Sequence, residues 1–158
     1  MGLTRRLFCL SLLGTAACGR SGRSSTKAPA MSHDTLPLHA NETLELRGLI
    51  NRYADHYEVP RTLVHRVIQR ESGYRPGARN GPYYGLMQIL PQTARGMGFK
   101  GENSDLLDAE TNLKYAVKYL RGAWMCADGS ETEAVKWYAS GYYYEAKRRG
   151  ILKETGLR

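Results

Sequence analysis

The acid at position 71 stands where acid–base chemistry is most readily built. Winding residues 61–72 at about 100° per residue places Leu63, Val67, Glu71, Val64 and Ile68 at roughly 0, 40, 80, 100 and 140°. Glu71 sits in the middle of an apolar stripe, while His65, Arg66, Gln69 and Arg70 take the opposite arc. A carboxylate on a buried face loses hydration, and one in a last helical turn feels the negative end of the helix dipole. Both effects raise its pKa toward neutrality, where a carboxylic acid can protonate a leaving oxygen. The same burial suits a structural glutamate bonded to a backbone group or an arginine, so position alone leaves two readings.

Acid-catalysed cleavage of a sugar chain ordinarily needs a second carboxylate across the bond. Asp105, Asp108 and Glu110 lie where helix starts need caps and first-turn acids, and they are read in that role. A one-glutamate reaction follows, with the substrate supplying the nucleophile. His33, His39, His56 and His65 show no metal-ligand pairing and no phosphate-binding glycine loop occurs, so no metal and no cofactor is expected. Cys126 reads as a small buried hydrophobe, since no histidine lies near it in sequence.

These residues need a scaffold, and the pattern is helical. Leu46, Leu49, Ile50, Tyr53 and Tyr57 mark one helix, and after Pro60 the stripe of Leu63, Val64, Val67 and Ile68 marks a second. Residues 91–97 suggest a short third. Leu113, Ala116, Val117 and Leu120 predict a helix starting near Asp108, and Ser130 with Glu133 predicts a capping box before the next. Residues 73–82 have loop composition. The expected fold is all-α or α-dominated (α+β), with room for a small hairpin between Tyr74 and Ile89.

Of 158 residues, 42% are hydrophobic, enough for one packed domain. Residues 1–18 read as an export signal: Arg5 and Arg6, an apolar run from Leu7 to Leu13, then Thr15-Ala16-Ala17 before Cys18. Small residues before a cysteine resemble a bacterial lipobox, which makes Cys18 a lipidation site anchoring the chain to a membrane; ordinary signal cleavage is the other reading. Thr4-Arg5-Arg6-Leu7-Phe8 also resembles a twin-arginine signal. Residues 19–40, rich in Gly, Ser and Pro, read as a flexible tether, and 41–158 as the domain. The formal charge is +8, and loss of the leader removes Arg5 and Arg6 but no acid. A basic, exported protein suits carboxylate-bearing cell-wall peptides or an anionic membrane, and makes nucleic acid an improbable partner.

The blocks Glu71-Ser72-Gly73-Tyr74 and Gly85-Leu86-Met87-Gln88-Ile89, with Pro91 and Thr93-Ala94, resemble the soluble lytic transglycosylase family, related to goose-type lysozyme. Asn112-Leu113, Tyr119-Leu120 and Trp137-Tyr138 extend the resemblance, which covers about residues 44–141. It implies a lysozyme-like helical domain in the periplasm that cleaves peptidoglycan glycan strands, with Glu71 as acid and then base. It further implies that Ser72 and Tyr138 orient Glu71, and that Tyr84, Gly85, Met87, Gln88 and Ser140 help bind substrate. One departure stands out: Tyr138-Ala139-Ser140-Gly141 has Ala139 where the family pattern has an amide side chain, and Ser140 or the run from Tyr142 to Tyr144 is the candidate substitute.

Several residues keep two readings. Leu86 and Met87 are core or groove, whereas Gln88 in an apolar segment needs a polar partner and points to a site. Tyr74, Tyr83 and Tyr84 either cover the core or stack on sugar rings. The basic tail from Lys147 to Arg149 reads as a solvated helix face. A hydrolytic lysozyme and a non-catalytic peptidoglycan-binding lipoprotein are the competing functions. General wall turnover and local opening of the wall for secretion or conjugation machinery are both compatible settings.

Overall fold

The computed structural model describes residues 36–157, all within one packed unit. Residues 1–18, read as an export signal with Cys18, and the part of the expected tether up to residue 35 lie outside the described residues. Helix α1, Leu44–His56, starts at Thr43, whose hydroxyl oxygen accepts from the Leu46 N–H at 3.1 Å. Helix α2, Arg61–Glu71, begins directly after Pro60, whose ring cannot extend a preceding helix. The four apolar residues of its stripe are fully buried, each stabilising the domain by about 1.5–3 kcal/mol.

A hairpin of β1, Arg79–Asn80, and β2, Tyr83–Tyr84, follows, with Arg79 opposite Tyr84 and Asn80 opposite Tyr83. It lies within the segment where the sequence left room for one. Pro91 opens the short helix α3, Pro91–Gly96. Next comes a 3-10 helix, Asn103–Leu107, and then α4, Ala109–Met125, the longest element. Its Asn112, Leu113, Ala116, Val117, Leu120 and Ala123 are buried, and α1, α3 and the 3-10 helix pack around it. Helix α5, Glu131–Ser140, packs against α4, and α6, Tyr143–Arg149, the last helix, ends at Gly150, after which Ile151, Leu152 and Leu157 pack on the core. Among the described residues the fold is thus six α-helices with one small hairpin, the α-dominated class the sequence predicts.

The acids near residue 108 act as caps. Asp108 accepts from the Thr111 N–H at 2.8 Å, Asp105 accepts from the Glu102 N–H at 2.9 Å, and Glu110 sits in the first turn of α4. Ser130 accepts from the Glu133 N–H at 3.3 Å, but the Glu133 carboxylate turns to Lys136 at 2.6 Å.

Two expectations are corrected. His65, assigned by the helical wheel to the polar arc, is buried: Nε2 lies 3.1 Å from Asn51 Oδ1 and Nδ1 lies 3.0 Å from the Tyr74 hydroxyl. A polar side chain tolerates that position because α1 and the loop after α2 bring partners to both ring nitrogens. The domain also begins before residue 41. Arg47, buried on α1, donates to the carbonyls of Leu36 and Pro37 and pairs with Glu42 at 2.7 Å, while the His39 ring stacks on Tyr74 at 4.7 Å. Residues 36–40 therefore belong to the folded body, held by a buried ion pair with no sequence periodicity to announce it.

Candidate active site

Glu71 is the last residue of α2. Beyond it Gly73 and Tyr74 both take positive φ, 58° and 62°, so the chain turns away from the helix axis and leaves the carboxylate at an opening. Its side chain keeps 23% of its surface exposed. The acid expected on a buried face is thus half-buried and accessible to a ligand. Burial pushes its pKa up, and the charge of Arg70, whose Nε lies 3.5 Å from Oε1, pulls the other way without cancelling the rise.

The opening continues as a groove made of three adjoining hollows. One of about 480 Å³ is lined by Glu71, Arg75, Gly77, Ala78, Arg79, Asn80 and Gln88. A second, about 320 Å³, shares Glu71, Asn80 and Gln88 and adds Arg70, Tyr83, Tyr138 and Ala139. The third, about 190 Å³, runs on past Tyr83, Tyr138 and Ala139 to Ser140 and Gly141. Gln88 borders all three. No second aspartate or glutamate lines any of them. A larger hollow of about 540 Å³ lies between α1 and α4, but its acids are engaged, Asp55 with Arg61 at 2.7 Å and Glu110 with the Tyr53 hydroxyl at 3.1 Å.

Opposite Glu71, the turn 85–89 is held by backbone clamps. Gln88 adopts φ 50° and its amide nitrogen donates to the carbonyls of Ala78 at 3.1 Å and Gly85 at 2.8 Å. Asn112 is fully buried beneath the turn: its Oδ1 accepts from the Met87 N–H at 3.0 Å, and its Nδ2 donates to the carbonyls of Tyr84 at 2.9 Å and Leu106 at 2.8 Å. Gly85 has φ 74°, and a Cβ there would collide with Asn112 Nδ2 and the Leu106 carbonyl oxygen. From α5, the Tyr138 hydroxyl donates to the Met87 carbonyl at 2.9 Å. Burial, then the nearby Glu71 charge, pushes the Tyr138 phenol well above its ordinary pKa, keeping it protonated as a donor.

The expected site residues therefore divide. Glu71, Gln88, Tyr138 and Ser140 line the groove. Ser72 does not: its hydroxyl donates to the Ile68 carbonyl and accepts from the Arg75 N–H, each at 3.3 Å, finishing the end of α2. Tyr84 is buried under the Arg79 guanidinium, Met87 is fully buried, and Gly85 is required by its close neighbours, so these three support the groove from behind. Their backbone roles are invisible to side-chain reasoning. Of the three tyrosines weighed for stacking, Tyr74 and Tyr84 are core, and Tyr83, 42% exposed, is the one on the groove wall. Ala139 lies on that wall as well; none of Tyr142, Tyr143 and Tyr144 joins it, and the Tyr142 hydroxyl donates to the Tyr119 carbonyl. Cys126 is buried and its thiol is pushed up by that burial, as a core residue should be.

Sequence reasoning missed Asn112 as a site residue, and Arg75, Arg79 and Asn80 as lining groups. An amide beside Leu113 on the inner face of α4 was the available signal for the first. The others come from a loop and the two-residue strand β1, too short for periodicity to tell which side chains face inward.

No solved structure matches the chain. A family model described as the transglycosylase SLT domain matches residues 48–154, which spans both halves of the groove from α1 to α6. The chain belongs to the transglycosylase SLT domain family, the lytic transglycosylases.

Proposed function

We propose that this domain cleaves the β-1,4 bond between N-acetylmuramic acid and N-acetylglucosamine in peptidoglycan without consuming water, with Glu71 as its one acid and base. The observation that carries this reading is a single carboxylate, raised in pKa by burial, on a groove with no second carboxylate along it. Protonated Glu71 donates its proton to the bridging oxygen as the glycosidic bond breaks, and the N-acetyl carbonyl of the muramic acid attacks the anomeric carbon. Glu71, now a carboxylate, takes the proton from the muramic O6 hydroxyl. That oxygen displaces the N-acetyl oxygen, closes a 1,6-anhydro ring and restores the acid. Arg70, at 3.5 Å, stabilises the carboxylate between the two transfers.

The groove suits an extended sugar chain. Tyr83 offers an aromatic face to sugar C–H surfaces, Gln88 sits where all three hollows meet, and Ser140 lies at the far end. Ala139 presents only a methyl group there, which favours a shorter set of polar contacts, and in the limit a binding protein without turnover. Export through residues 1–18 and lipidation of Cys18 would place the domain in the periplasm, anchored to a membrane; Cys18→Ser should release the protein from the membrane fraction.

Incubation of the protein with peptidoglycan sacculi, followed by mass spectrometry of soluble products, tests the reaction. The expected products are anhydro-muropeptides, absent with Glu71→Gln although that variant still folds and binds sacculi. Hydrated muropeptides would indicate a lysozyme, and binding without release would indicate the non-catalytic reading.

A further inference from the structure

The groove carries a charge asymmetry that the acid–base chemistry leaves unused. Its 480 Å³ hollow, which contains Glu71 but neither Tyr83 nor Tyr138, is lined by two guanidinium groups, Arg75 and Arg79. Elsewhere in the domain several arginines are matched with acids: Arg47 with Glu42, Arg61 with Asp55, Arg66 with Glu131, and Arg149 with Asp128 and Glu145. Among the described residues no carboxylate pairs with Arg75 or Arg79, and Glu71 is the one acid on that stretch of groove.

Both groups are nevertheless seated. Arg75 Nε donates to the Ser72 carbonyl at 2.8 Å, which anchors the guanidinium by one edge and leaves its terminal nitrogens for a ligand. The Arg79 guanidinium carbon lies 4.8 Å from the centroid of the Tyr84 ring, a contact that holds the charge without neutralising it. Two anchored cations lining one hollow, neither paired with a carboxylate, offer the planar donor groups that match a carboxylate.

We propose that Arg75 and Arg79 form an anion subsite that takes a carboxylate carried by the muramic acid of the substrate, from its lactyl group or from the peptide attached there. This inference rests on the peptidoglycan reading above. Within that polymer the N-acetylglucosamine units are neutral, so an anion subsite on one side of Glu71 distinguishes the two sugars and fixes the direction in which the strand lies. It also makes the protein selective for wall glycan over chitin, a neutral polymer with the same linkage.

The test uses the full-length protein carrying Glu71→Gln, so that ligands are bound and not consumed. Affinities are measured for three ligands: muramyl glycan fragments with their peptides, the same fragments with peptides removed and the lactyl carboxylate freed, and chitin oligosaccharides. Adding Arg75→Gln and Arg79→Gln should lower the ratio of muramyl to chitin affinity by about tenfold. That difference should shrink as salt rises, because exposed charge pairs are screened. Loss on peptide-bearing fragments assigns the peptide carboxylates; loss confined to stripped fragments assigns the lactyl group. Arg79→Glu alone, on the exposed hairpin, repels the same anion and should reverse the preference without disturbing Arg75. Ratios unchanged within about twofold in both variants would overturn the subsite. Failure of the unsubstituted protein to yield anhydro products would refute the reaction instead, and these binding ratios do not depend on it.

Discussion

Asn112 holds the turn that faces Glu71, and its removal should cost both stability and activity. In Asn112→Ala the Met87 N–H loses its partner inside a fully buried segment, while the carbonyls of Tyr84 and Leu106 each lose a donor. A buried orphaned donor costs about 1–3 kcal/mol, and each further bond contributes about 0.5–1.5 kcal/mol. The Tyr84 carbonyl keeps a bond from the Ile89 N–H at 3.1 Å, so its loss falls at the low end. The total is about 2–5 kcal/mol, which lowers Tm by roughly 8–20 °C in a domain of this size. Thermal unfolding followed by circular dichroism reads the stability. Clearance of a sacculus suspension well below the new Tm reads the activity, which should fall at least about tenfold as the Gln88 turn loosens. Asn112→Asp keeps the acceptor for Met87 but faces two carbonyl oxygens with a carboxylate, and should be nearly as damaging. A Tm change under about 3 °C, or full activity despite a large change, would refute the role given to Asn112.

Glu71 is protonated more readily in the folded than in the unfolded chain, so folding stability falls as pH rises from the ordinary carboxylate range through its raised pKa. Melting curves should therefore show Glu71→Gln more stable than the unsubstituted protein at alkaline pH, with the gap closing in acid; a constant gap would contradict the assigned protonation. Tyr138→Phe removes one buried hydrogen bond to Met87 and should lower Tm by roughly 2–6 °C; an unchanged Tm would show that bond to be idle. Arg47→Met strands the Glu42 carboxylate, whose side chain has no exposure, and should cost about 3–5 kcal/mol in denaturant titration. Burial alone would raise the Glu42 pKa, yet hydrogen bonds from Arg47 and the His39 N–H hold it below the ordinary value. The pair's contribution is thus present above that range and lost as pH falls through the lowered pKa, a loss that Arg47→Met should abolish.

The helices were legible because each obeys local rules: an apolar stripe at helical spacing, Thr43 and Asp108 as caps, Pro60 and Pro91 at starts. Glu71 was legible for the same reason, as an acid out of place on such a stripe. What escaped notice depends on meetings across the chain. His65 and Asn51 look like surface residues until α1 and α2 pack together, and Arg47 looks like a helix cation until Glu42 and the carbonyls of Leu36 and Pro37 are seen around it. In the turn 85–89 the informative groups are backbone atoms, so Met87, open to a core or a groove reading, serves behind the groove through its N–H and carbonyl, while Ser72, expected to orient Glu71, spends its hydroxyl on the end of α2. The arginines at 75 and 79 lie in a loop and a two-residue strand, too short for a pattern to show which face meets the hollow.

The central claim, that one glutamate cleaves the strand while the substrate supplies the nucleophile, meets its most direct test in heavy-oxygen water. Sacculi digested in that solvent by the unsubstituted protein should release muropeptides ending in an anhydro ring, lighter by one water than hydrolysis products and free of solvent oxygen. Muropeptides with solvent oxygen at the anomeric carbon would contradict the account, since they require an attacking water and a group on the far side of the bond to activate it.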